Sequence, residues 1–470
     1  MPDREHVSNR QTELPARLLR TSLLFLIGFM FVRTALLEPF GVPTGSMAIT
    51  LLGNHRECAC PRCGYPVVVG EMPANERRSP YANATCDNCG KRGISLTQSP
   101  DIQGDRLLVD KNVYSIRPPL RWELGVFHCP VDSSTPYVKR VVGLPGEQIQ
   151  ILGGDLFING EIARKTVVEY RQMLVPIFDS TFEPDTGWAV RWQVESARPP
   201  RPANQQEWNH GVLTLDSMNG EAKSIAYRNI NVETLKEEPI RDVLGYNAGV
   251  GVGRTETVHD FCVSFDLIIL DTAGKFSCSL TDGLGSATFQ IGMGPKNENS
   301  LTVTTETGQS APHHGDYDVQ RVRHYDFAMI DRRVTLREDG VEILPAQDLP
   351  ADPTRHGRRS AVSSPFRFSL AGGKVEIANV RLFRDVHYRA DGANGIDTPL
   401  QLGTEDFFCL GDNSANSRDG RVWKIPAVPR SNFLGKPFLI HQPMHLARLT
   451  LNGNDRTFPA LDWQRMRWVR

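Results

Sequence analysis

Four short segments carry residue types that could do chemistry together. They are Pro43-Thr-Gly-Ser-Met-Ala-Ile-Thr-Leu51, Gly104-Asp-Arg-Leu-Leu-Val-Asp-Lys111, Tyr137-Val-Lys-Arg-Val-Val-Gly-Leu-Pro-Gly-Glu147 and Gly411-Asp-Asn-Ser-Ala-Asn-Ser-Arg-Asp-Gly-Arg421. A serine hydroxyl is a weak nucleophile and needs a base within hydrogen-bond reach. No histidine stands in these segments to complete a Ser-His-Asp triad, and no Gly-x-Ser-x-Gly elbow is present. A lysine can serve instead if it is neutral, which requires an apolar wall to disfavour the ammonium form. Lys139 is flanked by Val138, Val141 and Val142, and Met47 follows Ser46, so apolar cover of a Ser46–Lys139 pair is expected. Each segment also has a plainer reading. Gly45-Ser46 fits an ordinary turn, Val138–Val142 a short strand with solvated basic residues, and the last segment a tight loop.

Taken together and in order, the segments resemble the conserved boxes of the type I signal peptidase family. The Ser-Met box corresponds to Ser46-Met47 and the lysine box to Tyr137–Glu147. The final box corresponds to Gly411-Asp412-Asn413 and Ser417-Arg-Asp419-Gly-Arg421. The resemblance covers roughly residues 15–53, 101–162 and 400–440. It implies a membrane-bound serine endopeptidase, with Ser46 as nucleophile, Lys139 as general base and no cofactor for catalysis. It further implies that Ser417 orients the lysine amine, that Asp419 and Arg421 form a supporting ion pair, and that Thr44 and the Ser46 N–H serve the oxyanion. Met47 is expected at the substrate-binding face. Substrates would be exported preproteins cut after small residues of the Ala-x-Ala kind. This chain has Ile49 where the family usually has proline, and Ser414-Ala415 where many relatives have Arg and Asp.

A second set of chemical residues lies between the first two segments. Cys60-Pro-Arg-Cys63-Gly64 and Cys86-Asp-Asn-Cys89-Gly90 are two Cys-x-x-Cys-Gly knuckles with the spacing of a four-cysteine zinc site. Cys60, Cys63, Cys86 and Cys89 would be the ligands of a structural zinc, with Cys58 spare. Disulfides, or a redox-active pair, are the competing readings for a segment outside the cytoplasm. The other four of nine cysteines, Cys129, Cys262, Cys278 and Cys409, read as small buried hydrophobes.

The elements that must position these residues follow from patterning. Arg4, Arg10, Arg17 and Arg20 precede an apolar run, Thr21–Leu37, interrupted only by Arg33. It reads as an uncleaved signal anchor in preference to a cleaved signal peptide or a core helix. Glu38-Pro-Phe-Gly-Val-Pro43 is a poor cleavage site. The positive-inside rule then puts the N-terminus in the cytoplasm and the catalytic part on the outer, periplasmic side of the inner (plasma) membrane. Pro39 and Pro43 start an extended stretch.

The expected organisation is a cytoplasmic tail (1–20), a transmembrane anchor (21–37), and a protease core in two parts (38–53 with 101–164, and 398–470). The core carries a zinc-ribbon-like insertion (54–100) and a β-sandwich insertion (165–397). The fold class is mainly β, with an antiparallel core. The sandwich is read from Phe261–Leu270, Ser286–Met293, Leu301–Thr305, a hairpin over Arg333–Ile343 turning at Asp339-Gly340, and Lys374–Arg384. Val375–Tyr388 resembles the last strands of a concanavalin-like, laminin-G-type jelly roll, which implies a carbohydrate or protein ligand. Trp188, Trp192, Trp208 and His313-His314 are read as core or surface before a binding site.

Net charge is −1, which gives no footprint of nucleic-acid binding. Negative mean hydropathy excludes a multi-spanning membrane protein but not one anchor in contact with lipid. A soluble self-cleaving repressor with the same dyad, and an inert membrane-tethered binding protein, are the alternatives. The anchor argues against the first and the intact dyad against the second.

Overall fold

The structure is a computed structural model that describes residues 8–31, 36–71, 80–184, 188–231, 234–248, 255–271, 274–293, 300–315, 317, 319–451 and 454–469. One sheet organises the four segments. Its strands are β1 (Leu37–Gly41), β2 (Arg106–Asp110), β3 (Leu124–His128), β4 (Pro136–Gly143), β5 (Asp406–Leu410), β6 (Ala427–Pro429), β7 (Phe433–Ile440) and β8 (Arg467–Trp468). The order is β1-β2-β7-β3-β4-β5-β6, with β8 added to β7, and the pairings are antiparallel. Pro39 is tolerated in β1 because that strand lies at the sheet edge and has a ladder on one side only. In β4, Lys139 to Gly143 are all buried, so both faces of the strand are covered. A small four-stranded sheet follows, and its hairpin over Leu156–Glu161 turns at Asn159-Gly160, both with positive φ.

The long insertion forms two nine-stranded sheets. Strands such as Ser286–Met293 bury every second residue, as a half-covered strand must. Their inward side chains meet in one core, where Phe265 contacts Phe368 at 4.8 Å and Phe289 contacts Tyr325 at 5.5 Å between ring centres. The expected strands are present within a residue at either end. Asp339 and Gly340 form the expected hairpin turn, both with positive φ. Trp188, Trp192 and Trp208 lie in this core. Cys129, Cys262, Cys278 and Cys409 are buried free thiols.

Two described features of the N-terminal segment bear on the apolar run. Helix α1 spans Ser8–Phe31, so it begins well inside the polar tail. Leu37, expected to close the apolar helix, opens β1 and pairs with Asp110. Ladder pairing with β2 outweighs the helical pattern there. Arg33 lies outside the described residues. No helix among the described residues is long and apolar enough to cross a membrane.

Candidate active site

The Ser46 segment leaves β1 and tightens into a single 3₁₀ turn, Gly45–Met47, closed by Ala48 N–H donating to the Gly45 carbonyl at 3.1 Å. The Ala48–Ile49 peptide is cis. The turn is held from below by the second segment: Val42 N–H donates to the Asp105 carbonyl (2.9 Å) and Leu52 N–H to the Asp105 carboxylate (2.8 Å). Close approach is built in, because a Cβ on Gly104 would lie 1.9 Å from the Val42 carbonyl oxygen.

Strand β4 delivers Lys139 to this turn. Lys139 Nζ lies 2.5 Å from Ser46 Oγ, and the lysine is 1% exposed. Burial lowers its pKa to about 8. Asp419 opposes that shift, Arg421 adds to it, and Asp412 opposes it. A sizeable neutral fraction near neutral pH is what a general base requires.

The last segment closes the other side. Asp419 makes the expected two-pronged ion pair with Arg421, at 2.9 Å to both carboxylate oxygens, and accepts from Gly411 N–H at 3.0 Å. A Cβ on Gly411 would sit 2.2 Å from Ser417 Oγ and 2.5 Å from the Ser46 carbonyl oxygen, so only glycine lets this loop approach the Ser46 turn. Next to it, Asp412 binds Arg140 through both oxygens (2.8 and 2.6 Å) and accepts from Thr50 at 2.6 Å. This buried pair ties β4, one residue from Lys139, to the loop.

Two expectations need correction. Met47 is fully buried under the turn among Val42, Leu51, Leu107 and Leu124, so it offers no surface to a peptide. The 3₁₀ geometry points the residue after Ser46 into the sheet. Ser417 Oγ is buried but hydrogen-bonds to no described residue, so the expected bond to the Lys139 amine is not made. The amine is directed at Ser46 instead. Thr44 is exposed and its hydroxyl makes no capping bond to the turn.

Residues 91–197 match the family described as signal peptidase, peptidase S26. That stretch contains Lys139 and its strand; Ser46 and the last segment lie outside it. The chain is 30% identical to signal peptidase I of Rickettsia massiliae (strain Mtu5) over 148 residues, which are 31% of this chain and 44% of that protein. It is 30% identical to signal peptidase I of Rickettsia conorii (strain ATCC VR-613 / Malish 7) over 139 residues, 30% of this chain and 41% of that protein. The chain therefore spans less than half the length of the curated relatives it matches. Among solved structures it is similar to the galectin LEC-6 of Caenorhabditis elegans (12% identity, 27% of this chain and 83% of that one, TM-score 0.20). It is also similar to the exoplasmic/lumenal domain of VIP36 (12%, 41% and 89%, TM-score 0.27). Both likenesses are too slight to carry any argument.

The cysteine module lies between the Ser46 turn and Gly104, and its two knuckles are built alike. Gly64 N–H donates to the Cys60 carbonyl and Gly90 N–H to the Cys86 carbonyl, each at 2.9 Å, and both glycines have positive φ. The Sγ atoms of Cys60, Cys63, Cys86 and Cys89 lie within 4.8 Å of one another, all buried. Cys60–Cys89 and Cys63–Cys86 are 3.6 and 3.8 Å apart. Tetrahedral zinc with Zn–S near 2.3 Å needs sulfurs about 3.8 Å apart, whereas a disulfide needs about 2.05 Å. The four thiols are thus placed to hold a metal ion. Cys58 is half-buried and outside the group.

Three residues at the site had no sequence signal assigning them a role: Arg140, Asp412 and Asn413. They sat inside recognised segments, but their partners come from elsewhere in the chain. A fourth, Asn247, sits in the long insertion.

Proposed function

We propose that this chain is a membrane-bound serine endopeptidase that removes signal peptides from exported preproteins after small residues of the Ala-x-Ala kind. The observation that carries the reading is the 2.5 Å contact between a fully buried lysine amine, its pKa lowered to about 8, and a serine hydroxyl on a tight turn. The stretch matched by the S26 family and the partial identity to the Rickettsia proteins support the substrate class.

In the proposed reaction the preprotein lies as an added strand. Ser46 Oγ attacks the scissile carbonyl while its proton moves to neutral Lys139 Nζ. Negative charge collects on the carbonyl oxygen, which Ser46 N–H and the Thr44 hydroxyl stabilise. Collapse of the intermediate breaks the C–N bond. Lys139 gives its proton to the departing amine, the mature N-terminus, and becomes neutral again. Water then attacks the ester with Lys139 taking its proton, and Ser46 recovers a proton as the signal peptide leaves. Asp419 and Arg421 fix the loop behind the lysine, and Ser417 is available to the protonated amine.

The anchor, with the N-terminus in the cytoplasm and the catalytic sheet outside, rests on the four arginines before the apolar run. Resistance of the full chain to alkaline extraction from membranes tests it. The cysteine module is proposed to hold structural zinc. Its four thiolates leave no open position, so it takes no part in the reaction. One zinc per purified chain is expected, and a metal-free preparation would overturn it. The activity itself is tested by preprotein cleavage with wild type, Ser46→Ala and Lys139→Ala. Wild type cleaves, and both variants fall to background. Wild-type rates in either variant would refute the dyad.

A further inference from the structure

Beside the Arg389–Asp391 stretch that meets Arg421, the long insertion reaches the turn carrying Ser46 through a second turn, Gly245–Asn247, all three residues of which are buried. Its two ends are held by different parts of the molecule. Gly245 N–H donates to Asp87 Oδ1 of the second cysteine knuckle at 2.6 Å. A Cβ at Gly245 would lie 2.7 Å from that carboxylate and 2.8 Å from the Thr85 carbonyl oxygen. Tyr246 lays its ring over Gly45 and Gly70, where an added Cβ would come within 2.3 and 2.2 Å of it. At the other end Asn247 and Asn413 face each other as a reciprocal amide pair, Asn247 Nδ2 to Asn413 Oδ1 at 2.9 Å and Asn413 Nδ2 to Asn247 Oδ1 at 2.8 Å.

The pair acts on the nucleophile's backbone. Asn413 Nδ2 also donates to the Gly45 carbonyl at 2.9 Å, and Asn413 N–H to the Ser46 carbonyl at 3.1 Å. The Gly45 carbonyl and the Ser46 N–H belong to one planar trans peptide and point in opposite directions. Whatever holds the carbonyl therefore aims the N–H. The Gly45 carbonyl can only accept, so the Asn413 amide must turn its NH₂ towards it. Asn413 Oδ1 is then left facing the insertion, where it needs a donor, and Asn247 supplies one.

We infer that Asn247 is a positioning residue for the Ser46 N–H. Through Asn413 it fixes the peptide plane that presents this donor to the oxyanion. The inserted turn, pinned to the cysteine module by Asp87, is thus part of what keeps the nucleophile turn ready to react. This rests on the protease reading above, since only an acyl-transfer site needs that N–H aimed.

The test is Asn247→Ala in the full-length, detergent-solubilised protein, assayed for preprotein cleavage across pH and by hydrogen exchange. A donor that wanders loses part of its transition-state contact, and a lost oxyanion donor costs about 100- to 1,000-fold. A misaimed one is expected to lower kcat about tenfold. KM and the midpoint of the acid limb should not move, because substrate contacts and Lys139 are untouched. Deuterium uptake across residues 43–52 should be several-fold faster. If the alanine variant fails to fold, Asn247→Asp replaces it. Its carboxylate accepts from Asn413 but cannot donate to Asn413 Oδ1, so the same fall in kcat is expected. A kcat within twofold of wild type would overturn the inference. So would a loss appearing as a proportionate rise in KM or as a shifted acid limb. If wild type cleaves no preprotein, the protease reading falls and exchange decides alone. Unchanged uptake over 43–52 then refutes the positioning.

Discussion

Lys139 and Lys165 are both buried, 1% and 3% exposed, and desolvation lowers the pKa of both. They end on opposite sides of the ordinary lysine value. Lys139 has a serine hydroxyl as its hydrogen-bond partner, and the nearby carboxylate of Asp419 is already paired with Arg421, so burial wins and the pKa falls to about 8. Lys165 lies between Asp331 (2.7 and 3.0 Å) and Asp385 (2.7 Å), and their combined field overrides burial and raises its pKa well above the ordinary value. Depth alone therefore does not make a lysine a base. What matters is whether a free carboxylate comes with it. Lys165 stands where the chain passes from the small hairpin into the long insertion, and Asp331 and Asp385 lie deep in that insertion, so the charged lysine pins the junction to it.

Exchanging each amine for an apolar side chain separates these roles most sharply. Lys139→Met should lower preprotein cleavage by at least three orders of magnitude, since the nucleophile loses its base. The same change should leave the fold intact or more stable. Unfolded lysine titrates near 10.4. The folded state therefore bears a desolvated ammonium at all pH values below about 8, and that cost fades as pH rises towards 10.4. At pH 7 the variant should gain up to about 3 kcal/mol, read as a higher Tm, less whatever the lost Ser46 hydrogen bond contributed. A large fall in Tm would mean that Lys139 is structural.

Lys165→Met should do the reverse. It leaves Asp331 and Asp385 buried without their cation, which costs about 3–5 kcal/mol. A denaturant midpoint well below wild type is expected, with normal cleavage per folded molecule. If stability were unchanged, the clamp would be dispensable and the contrast between the lysines would collapse.

The titration of Lys139 should appear in the rate. Below a pH of about 8 the neutral fraction falls tenfold per unit, so kcat/KM should fall with a slope approaching one as the solution is acidified, and level off above. A profile flat down to pH 6 would refute the base assignment.

Much of this contrast could be read in advance, and the reason is local. Lys139 stands in a strand rich in valine whose residues from 139 to 143 are all buried, so its burial was legible within a few residues. The two cysteine knuckles were equally legible, because each is closed by its own backbone bonds to a nearby glycine. Alternation gave the sandwich strands, since a half-buried strand writes its burial every second residue. Lys165 was not legible. It follows Arg164 in an unremarkable stretch, and its two carboxylates arrive from positions 331 and 385. Asn247 failed for the same reason, as its partner is Asn413. Met47 was misassigned because proximity to Ser46 in sequence says nothing about which way a 3₁₀ turn points a side chain. The pairing of Leu37 with Asp110 could not be seen in the apolar run itself.

The smallest effect tests whether Lys165 needs both of its carboxylates. Asp385 is the weaker partner. Burial raises its pKa to about 7, Lys165 opposes this, and Asp331 adds to it; its second oxygen bonds to no described residue. A carboxyl group whose folded pKa is raised contributes stability below its unfolded value, near 3.9, and loses it as pH climbs through 7. At neutral pH, then, the ionised Asp385 is a liability that Lys165 only partly offsets. Asp385→Asn keeps the shape, removes the titration, and leaves Lys165 on Asp331. Its Tm relative to wild type should rise as pH goes from 4 to 7, ending within about 1 kcal/mol of wild type in either direction. A loss as large as that of Lys165→Met would mean that both carboxylates are needed to hold the lysine charged.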